Sequence, residues 1–283
     1  MSLVSGRECA QALRDVGYDV IEIDAGKDLA ARLLDVAPDV VFNALHGRWG
    51  EDGAVQGLLE WLRIPYTHSG VLASALAMDK IKAKQAFANA GWPVAESLLA
   101  PAADVQTAHP MTPPYVVKPY NEGSSVGVYI VHESANGPAK LGPEMQEMVM
   151  VERFIPGREL TTAVVAGRAL TVTDIFTDGW YDFHAKYAEG GSDHVVPANI
   201  PEDIFALCLD YAGRAHECLG CRGATRTDFR WDESRGRDGL FLLETNTQPG
   251  MTPTSLLPEQ AMICGMEFGA LLTWMVEDAS CDR

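Results

Sequence analysis

Apolar residues at helical spacing alternate with short β-branched runs at the start of the chain. Residues 6–16 and 29–36 show the helical spacing, whereas residues 18–23 and 39–43 have the composition of strands. Such alternation is typical of a parallel α/β layer. The chain nevertheless opens directly in a helix, although a doubly wound unit normally begins with a strand.

Beyond residue 78 the pattern predicts a second unit. Asp79 is placed to cap its first helix, and Gly91 to end it. Further along, an apolar strand runs through Pro156 and Gly157 into another strand, a spacing that by itself predicts an ordinary hairpin. The predicted helices cover residues 80–90, 204–219 and 258–277, and the predicted strands cover residues 115–119, 129–131, 148–155, 160–165, 225–231 and 240–244.

Composition excludes some classes of function. The 283 residues carry a formal net charge of −17, which argues against binding to nucleic acids or to anionic membrane surfaces. No apolar run is long enough to span a bilayer and no signal peptide opens the chain, so we expect a cytoplasmic protein. Cys218 and Cys221 have the spacing of half a zinc or redox site, but no second pair is evident, and we interpret them as buried structural thiols.

Polar side chains stand in two of the predicted strands at alternate positions. Glu244 and Asn246 follow an apolar run, and Arg226 and Asp228 lie in the preceding strand. Side chains two residues apart in a strand point to the same face. Carboxylate and amide oxygens are ligands suited to Mg²⁺, so the two strand ends predict a site where metal ions hold phosphates. The alternative is a strand that ends in an ordinary polar turn.

Three loops add candidate chemistry. Residues 45–53 combine three glycines with His, Arg, Glu and Asp after a predicted strand, although a glycine-rich turn capped by Asp52 would have the same composition. Residues 121–128 form a glycine- and serine-rich loop after Lys118, which is suited to surround phosphate oxygens but is not a Walker loop. Residues 182–193 are polar and glycine-rich, as in a lid.

Six motifs in order closely resemble the D-alanine–D-alanine ligase family of ATP-grasp enzymes, over nearly the whole chain. They are Leu-His-Gly-Arg-x-Gly-Glu-Asp-Gly, Met-Asp-Lys, Val-Lys-Pro with Glu-Gly-Ser-Ser-Val-Gly, Ala-Lys-Tyr, Arg-x-Asp, and Leu-Glu-x-Asn-Thr-x-Pro-Gly-Met-Thr. The resemblance implies an α/β fold that is α+β in its ATP-grasp part. It implies a truncated Rossmann-like N-terminal domain over residues 1–77, a central lid domain over residues 78–156, and a C-terminal domain with the metal site over residues 157–283.

The resemblance also implies a role for individual residues. The ATP-contacting residues would be Lys80, Lys118, Gly123, Ser124, Ser125, Glu152, Phe154, Ile155, Glu159 and Lys186. Two Mg²⁺ ions, with Mn²⁺ as a possible substitute, would be held by Asp228, Glu244 and Asn246. The catalytic residues would be Ser124, Tyr187, Arg226, Gly250 and Ser255, and the substrate would be bound by His46, Ser255 and Leu256. Within these sets, backbone groups near Glu152, Phe154 and Ile155 would frame the adenine, and Glu159 would hold the ribose.

The activity implied by the resemblance is the ATP-dependent joining of two D-alanines through a D-alanyl phosphate, for peptidoglycan precursors. Tyr187 favours D-alanine over D-lactate as the second substrate, because the depsipeptide-forming relatives depart from the Ala-Lys-Tyr pattern. The resemblance further implies a homodimer. The alternatives are a nucleotide-binding paralogue with impaired or no turnover, and an ATP-grasp ligase for another amino-acid pair.

The sequence departs from the family pattern at its N-terminus. Residues 1–6 match only the tail of a segment that the family opens with a strand and Gly-Gly-x-Ser-x-Glu, whose Glu would bind the ammonium of the first D-alanine. We expect that the recorded start codon is too late and that the working protein is longer, rather than that the chain is a truncated, impaired paralogue.

Overall fold

The computed structural model describes residues 2–123, 127–143, 145–176 and 193–281. Its strands form two antiparallel sheets, one of four strands in the order β1-β4-β2-β3 and one of five strands in the order β7-β6-β5-β8-β9. The strands are β1 (Ser97–Pro101), β2 (Tyr115–Lys118), β3 (Tyr129–Val131), β4 (Met148–Arg153), β5 (Arg158–Val165), β6 (Arg168–Phe176), β7 (Asp193–Val195), β8 (Ala224–Trp231) and β9 (Leu240–Asn246).

Helices cover the sheets and form most of the N-terminal part. They are α1 (Ser2–Asp15), α2 (Leu29–Val36), α3 (Ala54–Leu62), α4 (Val71–Met78), α5 (Lys80–Asn89), α6 (Ala102–Val105), α7 (Glu202–Cys218), α8 (Leu256–Ile263) and α9 (Phe268–Glu277), with a 3₁₀ segment at Glu233–Gly239.

The five-stranded sheet is the centre of the hydrophobic core. Leu160 of β5, Phe229 of β8 and Leu242 of β9 are fully buried against α7. A second cluster joins α1, α8 and α9 to the sheet through residues such as Ala163 and Leu271. Burying one such large apolar side chain contributes about 1.5–3 kcal/mol to stability. The sheet that carries the polar strand ends is therefore packed on both sides by the core.

The predictions for the N-terminal part are correct for the helices and wrong for the strands. α1 and α2 form where helical spacing predicted them, but residues 18–23 and 39–43 form no strand. The described backbone makes only one parallel bridge there, between Val41 and Tyr66. A strand needs a neighbour to satisfy its backbone groups, and Val41 meets residues 65–67 only, through bonds to Pro65 and Thr67.

The predicted hairpin at Pro156 and Gly157 is also wrong. β4 pairs with β1 and β2 in the four-stranded sheet, whereas β5 pairs with β6 and β8 in the other. Gly157 has φ +91°, and a Cβ there would collide with the carbonyl group of Trp231. The Pro-Gly segment is thus a crossover between two sheets, held close to β8.

The single closing helix predicted over residues 258–277 is two helices, α8 and α9. The chain turns after Ile263 through Gly265, whose φ of +86° is a conformation that favours glycine. Apolar periodicity continues across this turn, because both helices contribute to the same core cluster.

The interpretation of the two neighbouring cysteines as buried thiols is wrong for Cys218, which is exposed at the end of α7, while Cys221 is half-buried. Burial raises the pKa of the Cys221 thiol to about 12. In the part of the chain that the structure describes, no helix is long and apolar enough to cross a membrane.

Candidate active site

Four polar side chains predicted at the strand ends are brought together as two cross-strand pairs. Arg226 of β8 lies directly opposite Asn246 of β9, and Asp228 lies opposite Glu244. Directly opposed residues in an antiparallel pair place their side chains on the same face of the sheet. Two acids, an amide and a guanidinium therefore share one face, as the alternation along each strand predicted.

A β-bulge in β9 decides which face that is. Asp228 pairs with Glu244, but the next residue of β8, Phe229, pairs with Leu242, so that Leu243 is the extra residue. The bulge reverses the alternation, because one inserted residue turns every later side chain to the other face. Leu242 therefore points into the core, and Glu244, also at an even-numbered position, points away from it.

Each carboxylate of this face has a cation beside it. Arg226 donates to both oxygens of Asp228 at 2.8 and 2.7 Å, and the buried hydroxyl of Thr161 donates to Asp228 at 2.6 Å. Lys80 Nζ lies 3.1 Å from Glu244 Oε2. The two negative and two positive charges therefore cancel within the cluster. A metal ion that bound here would replace a cation beside a carboxylate, and a phosphate would replace a carboxylate beside a cation.

The donor set fits a hard divalent cation, since two carboxylates and an amide oxygen are ligands for Mg²⁺ or Mn²⁺. Within the described ranges no group of three His, Cys, Asp or Glu side chains could hold a metal. Phosphate oxygens and water would have to supply the remaining ligands of an ion bound here.

Lys80 is positioned by the start of α5. The side chain of Asp79 accepts from Lys82 N at 3.0 Å, so Asp79 caps the helix as predicted. Lys80 N donates to Tyr120 O and its Nζ donates to Glu122 O, both at 2.8 Å. The lysine therefore joins the helix, the loop after β2 and the acidic face of β9.

Lys118 is held by the buried carboxylate of Glu152. From the sequence, Glu152 was expected to contribute only its backbone groups to the nucleotide site. Lys118 Nζ donates to Glu152 Oε2 at 2.6 Å, and Lys84 donates to the other oxygen. Burial raises the pKa of Glu152, but the two lysines outweigh burial and hold that pKa below its usual range. Burial also holds the pKa of Lys84 below its usual value.

Sequence reasoning missed Lys84. The available signal was its spacing, because residues four apart on a helix lie on the same face, and Lys84 follows Lys80 by four. That its partner would be Glu152 depends on how α5 packs against the four-stranded sheet.

The crossover between the sheets approaches the same face at the other end of β8. Glu159 and Arg230 are direct cross-strand partners, with 3.4 Å between Arg230 Nη1 and Glu159 Oε2. Arg230 also donates to Ile155 O at 3.2 Å and to Gly157 O at 2.8 Å, and lies 6.0 Å from the ring of Phe154. Burial holds the pKa of Arg230 below its usual value, against the opposing effect of Glu159. Arg230 was not among the predicted site residues.

His46 connects the N-terminal loop to the segment that follows β9, next to the candidate metal ligand Asn246. Its Nε2 is 2.9 Å from Ser5 Oγ, and its Nδ1 is 3.1 Å from Gln248 O and 3.5 Å from Glu51 Oε1. Gln248 N in turn donates to Asn246 Oδ1 at 2.8 Å. The imidazole thus has partners on α1, on its own loop and on the segment after β9.

The segment after β9 ends in a helix N-terminus. Ser255 precedes α8, its Oγ lies 2.8 Å from Thr252 Oγ1, and it accepts from Thr252 N at 3.1 Å. A Cβ on Gly250 would lie 3.0 Å from Ser255 Oγ, closer than side chains normally approach. Ser255 N donates to Thr252 O at 2.9 Å, and Leu256 is the first residue of α8, where the N–H groups of a helix N-terminus favour a carboxylate.

The glycine-rich loop after β2 meets the N-terminal loop. A Cβ on Gly123 would lie 3.1 Å from Glu51 Oε2, so the two loops are in close contact. Four of the predicted site residues lie outside the described residues: Ser124, Ser125, Lys186 and Tyr187.

Comparisons with known proteins find two matching family models. A family model described as "D-ala D-ala ligase C-terminus" matches residues 87–277, and one described as "D-ala D-ala ligase N-terminus" matches residues 26–69. The chain is 72% identical to a D-alanine–D-alanine ligase of Ruegeria pomeroyi over all 283 residues, which cover 92% of that protein. It is 71% identical to one of Roseobacter denitrificans, again over the whole chain and 89% of the relative.

Solved structures give the same match at lower identity. The D-alanine–D-alanine ligase of Bacillus anthracis complexed with ATP superposes with a TM-score of 0.79 at 26% identity, over 98% of this chain and 91% of that one. A second structure of the same ligase superposes with a TM-score of 0.80 at 28% identity, with the same coverage.

Proposed function

The chain belongs to the D-alanine–D-alanine ligase family, and we propose that it joins two D-alanine molecules at the expense of ATP, through a D-alanyl phosphate, to supply the dipeptide for peptidoglycan. It has the ATP-grasp fold of that family, within which we propose the domain division 1–77, 78–156 and 157–283. The observation that carries the proposal is the balanced cluster of Asp228, Glu244, Arg226 and Lys80 between the two sheets.

The phosphates of ATP lie between the sheets in this proposal. Lys80 and Lys118 reach into the cleft from α5 and from the end of β2, and each is held there by an acid, Glu244 and Glu152 respectively. In this proposal the loop that includes Gly123, Ser124 and Ser125 would close over the phosphates, and Lys186 would contact them. The negative charge of a triphosphate would replace the carboxylates of Glu244 and Glu152 as the partner of these two lysines.

Asp228, Glu244 and Asn246 hold the divalent ions. A bound Mg²⁺ or Mn²⁺ would supply positive charge that neutralises the phosphates. Arg226 would release Asp228 when the metal binds. Thr161 would then keep the carboxylate of Asp228 in place, because its hydroxyl donates to Asp228 from the buried strand β5. Arg226 is then available for the charge that develops on the reacting carboxylate, together with the Gly250 N–H.

The amino-acid end of the cleft lies beside α8. Ser255 and Leu256, at the N-terminus of that helix, hold the carboxylate of the second D-alanine. His46 would contact the substrate from the N-terminal loop, where Ser5 and Gln248 orient its ring. Closure of the lid through Ser124 and Tyr187 would protect the acyl phosphate from water.

The remaining parts of the proposal concern specificity and assembly. We propose D-alanine rather than D-lactate as the second substrate, on the basis of the Ala-Lys-Tyr pattern at Tyr187. We also propose a homodimer that works in the cytoplasm.

The direct test measures phosphate release from MgATP as a function of D-alanine, with the dipeptide identified by mass spectrometry. The proposal expects release that requires D-alanine, yields one dipeptide per phosphate and is not supported by L-alanine. Tight binding of MgATP without dipeptide would instead identify a nucleotide-binding protein without turnover. Release with another amino acid but not with D-alanine would indicate a ligase for a different pair.

A further inference from the structure

Arg230 lies in line with the two candidate site residues of β8. Arg226, Asp228 and Arg230 alternate along the strand and share one face, because Phe229 and Trp231 between and after them point into the core. The side chain of Arg230 is directly opposite Glu159 of β5. One strand face thus carries the oxyanion residue, a metal ligand and this second arginine, in that order.

The guanidinium of Arg230 contacts three acceptors within one short segment of the chain. Nη2 donates to Gly157 O at 2.8 Å, Nε donates to Ile155 O at 3.2 Å, and Nη1 lies 3.4 Å from the carboxylate of Glu159. Residues 155–159 lead from the four-stranded sheet into the five-stranded one. Only a planar fork with several donors reaches all three acceptors at once.

The contact is shielded from water. The side chains of Arg230 and Glu159 are each 12% exposed. A charge-assisted hydrogen bond in such a place is stronger and more directional than one at the surface. The guanidinium therefore fixes both the crossover backbone and the direction of the Glu159 carboxylate.

We propose that Arg230 is a positioning residue for the nucleoside half of ATP. It holds the peptide groups of Ile155 and Gly157 where the adenine is framed, and it aims Glu159 at the ribose hydroxyls. This inference rests on the proposed function and on the roles that the family resemblance implies, in which backbone groups near Glu152, Phe154 and Ile155 frame the adenine and Glu159 holds the ribose. The three hydrogen-bond partners of Arg230 described above lie in residues 155–159, whereas Lys80, Lys118 and the candidate metal ligands would bind the phosphates.

Ligands with and without the nucleoside distinguish a positioning role of Arg230 from a purely structural one. Isothermal titration measures the dissociation constants of MgATP, of 2′-deoxy-ATP with Mg²⁺, and of Mg²⁺-tripolyphosphate, which lacks the nucleoside. In Arg230→Met the dissociation constant of MgATP should rise about tenfold, the factor expected for the loss of one hydrogen bond to a charged group. That of tripolyphosphate should stay at the wild-type value, and the preference for ATP over 2′-deoxy-ATP should shrink.

Arg158→Met is the matched control. Arg158 precedes Glu159 in the chain but points to the other face of β5, where it donates to Asp174 and to Asn199 O. Its replacement should lower the melting temperature without changing any of the three dissociation constants. If Arg230→Met behaves like this control, or weakens ATP and tripolyphosphate by the same factor, the inference is wrong.

The binding measurements separate this inference from the proposed function. A wild-type chain that binds MgATP but forms no dipeptide would overturn the ligase proposal and leave the Arg230 comparison intact. A ligase whose Arg230→Met variant keeps full nucleotide selectivity would overturn the inference alone.

Discussion

Lys84 and Glu152 form an ion pair that is almost completely closed to solvent, with 3% and 4% of the two side chains exposed. The same carboxylate also accepts from Lys118, the candidate phosphate ligand. Two lysines thus share one acid, and the surplus positive charge lies next to the proposed triphosphate site. If Lys84 were absent, the acid would be neutralised by Lys118 alone.

Replacing Lys84 by Met should therefore weaken nucleotide binding through a residue that does not touch the nucleotide. Lys118 would be bound more tightly by Glu152, so the KM for ATP should rise while the KM for D-alanine stays the same. The loss of one buried charge-assisted bond should also cost about 2 kcal/mol of unfolding free energy. Steady-state kinetics and urea unfolding measure the two effects.

A second substitution distinguishes tighter binding of Lys118 by Glu152 from a general loss of stability. In Lys84→Met with Glu152→Gln, Lys118 is no longer captured, and the KM for ATP should fall back toward the wild-type value. Lys82→Met, on the exposed side of the same helix, should change neither quantity. A double variant that binds ATP more weakly than Lys84→Met would contradict the charge-sharing explanation.

Asp228→Asn should raise the Mg²⁺ concentration needed for half-maximal phosphate release. The substitution keeps the shape of the side chain but removes the charge that faces Arg226 and would face the metal. Removing a hydrogen-bonding partner of a metal ligand typically costs about 10–100-fold in metal affinity, and removing the charge of a ligand should cost at least as much. Titration of activity with Mg²⁺ at saturating ATP measures the shift. Asp210→Asn, an exposed acid on α7, should leave the titration curve unchanged.

Gly250→Ala should impair the amino-acid end of the cleft selectively. The new Cβ would lie 3.0 Å from Ser255 Oγ and would displace the hydroxyl that precedes α8. We expect the KM for the second D-alanine to rise with little change in the KM for ATP. Gly213 of α7 has open space around its Cβ position, so Gly213→Ala should leave activity unaltered and stabilise the helix by about 0.5–1 kcal/mol. Equal effects on both substrates would argue against this role of Gly250.

Two buried histidines should make the protein lose stability in mild acid. Burial lowers the pKa of His68 to about 3 and that of His216 to about 4. An unfolded histidine has an ordinary pKa near 6.5, so below that pH the unfolded chain binds more protons than the folded one. The stabilising contribution is complete above about pH 6.5 and falls by about 1.4 kcal/mol per pH unit for each histidine as the pH decreases toward 4.

Urea unfolding at pH 7, 6 and 5 measures this slope. His216, whose Nδ1 is 2.8 Å from Thr225 Oγ1, can be replaced by Gln to remove one of the two contributions. The remaining slope should then be smaller by about 1.4 kcal/mol per pH unit. A slope unchanged by His216→Gln would show that other groups cause the acid sensitivity.

The residue types of the candidate site were visible in the sequence, because side-chain direction in a strand is a local property. The alternation Arg226, Asp228 and the alternation Glu244, Asn246 each predicted a shared face, and the sheet register confirmed both. The capping of α5 by Asp79 was equally local and was confirmed. The strands predicted over residues 18–23 and 39–43 failed because a strand requires a neighbour that local pattern does not specify.

The two missed residues show the same limit. Arg230 continues the alternation of Arg226 and Asp228, so its direction could have been found, but its partners lie on a crossover that spacing predicted to be a hairpin. Lys84 follows Lys80 at helical spacing, but a buried lysine is recognised only by its acid, and Glu152 is 68 residues away in the chain.

The sequence by itself determined the chemistry of this protein: the acids, amide and cations that suit a magnesium phosphate site, and the order of motifs that places the chain in its family. The tertiary structure alone decided how those groups face one another. The bulge at Leu243 turns Glu244 away from the side of Leu242, and the crossover at Gly157 places two sheets on either side of the cleft. Both depend on pairing between distant segments, whose free energy is set by packing and backbone hydrogen bonds across the fold rather than by any local pattern.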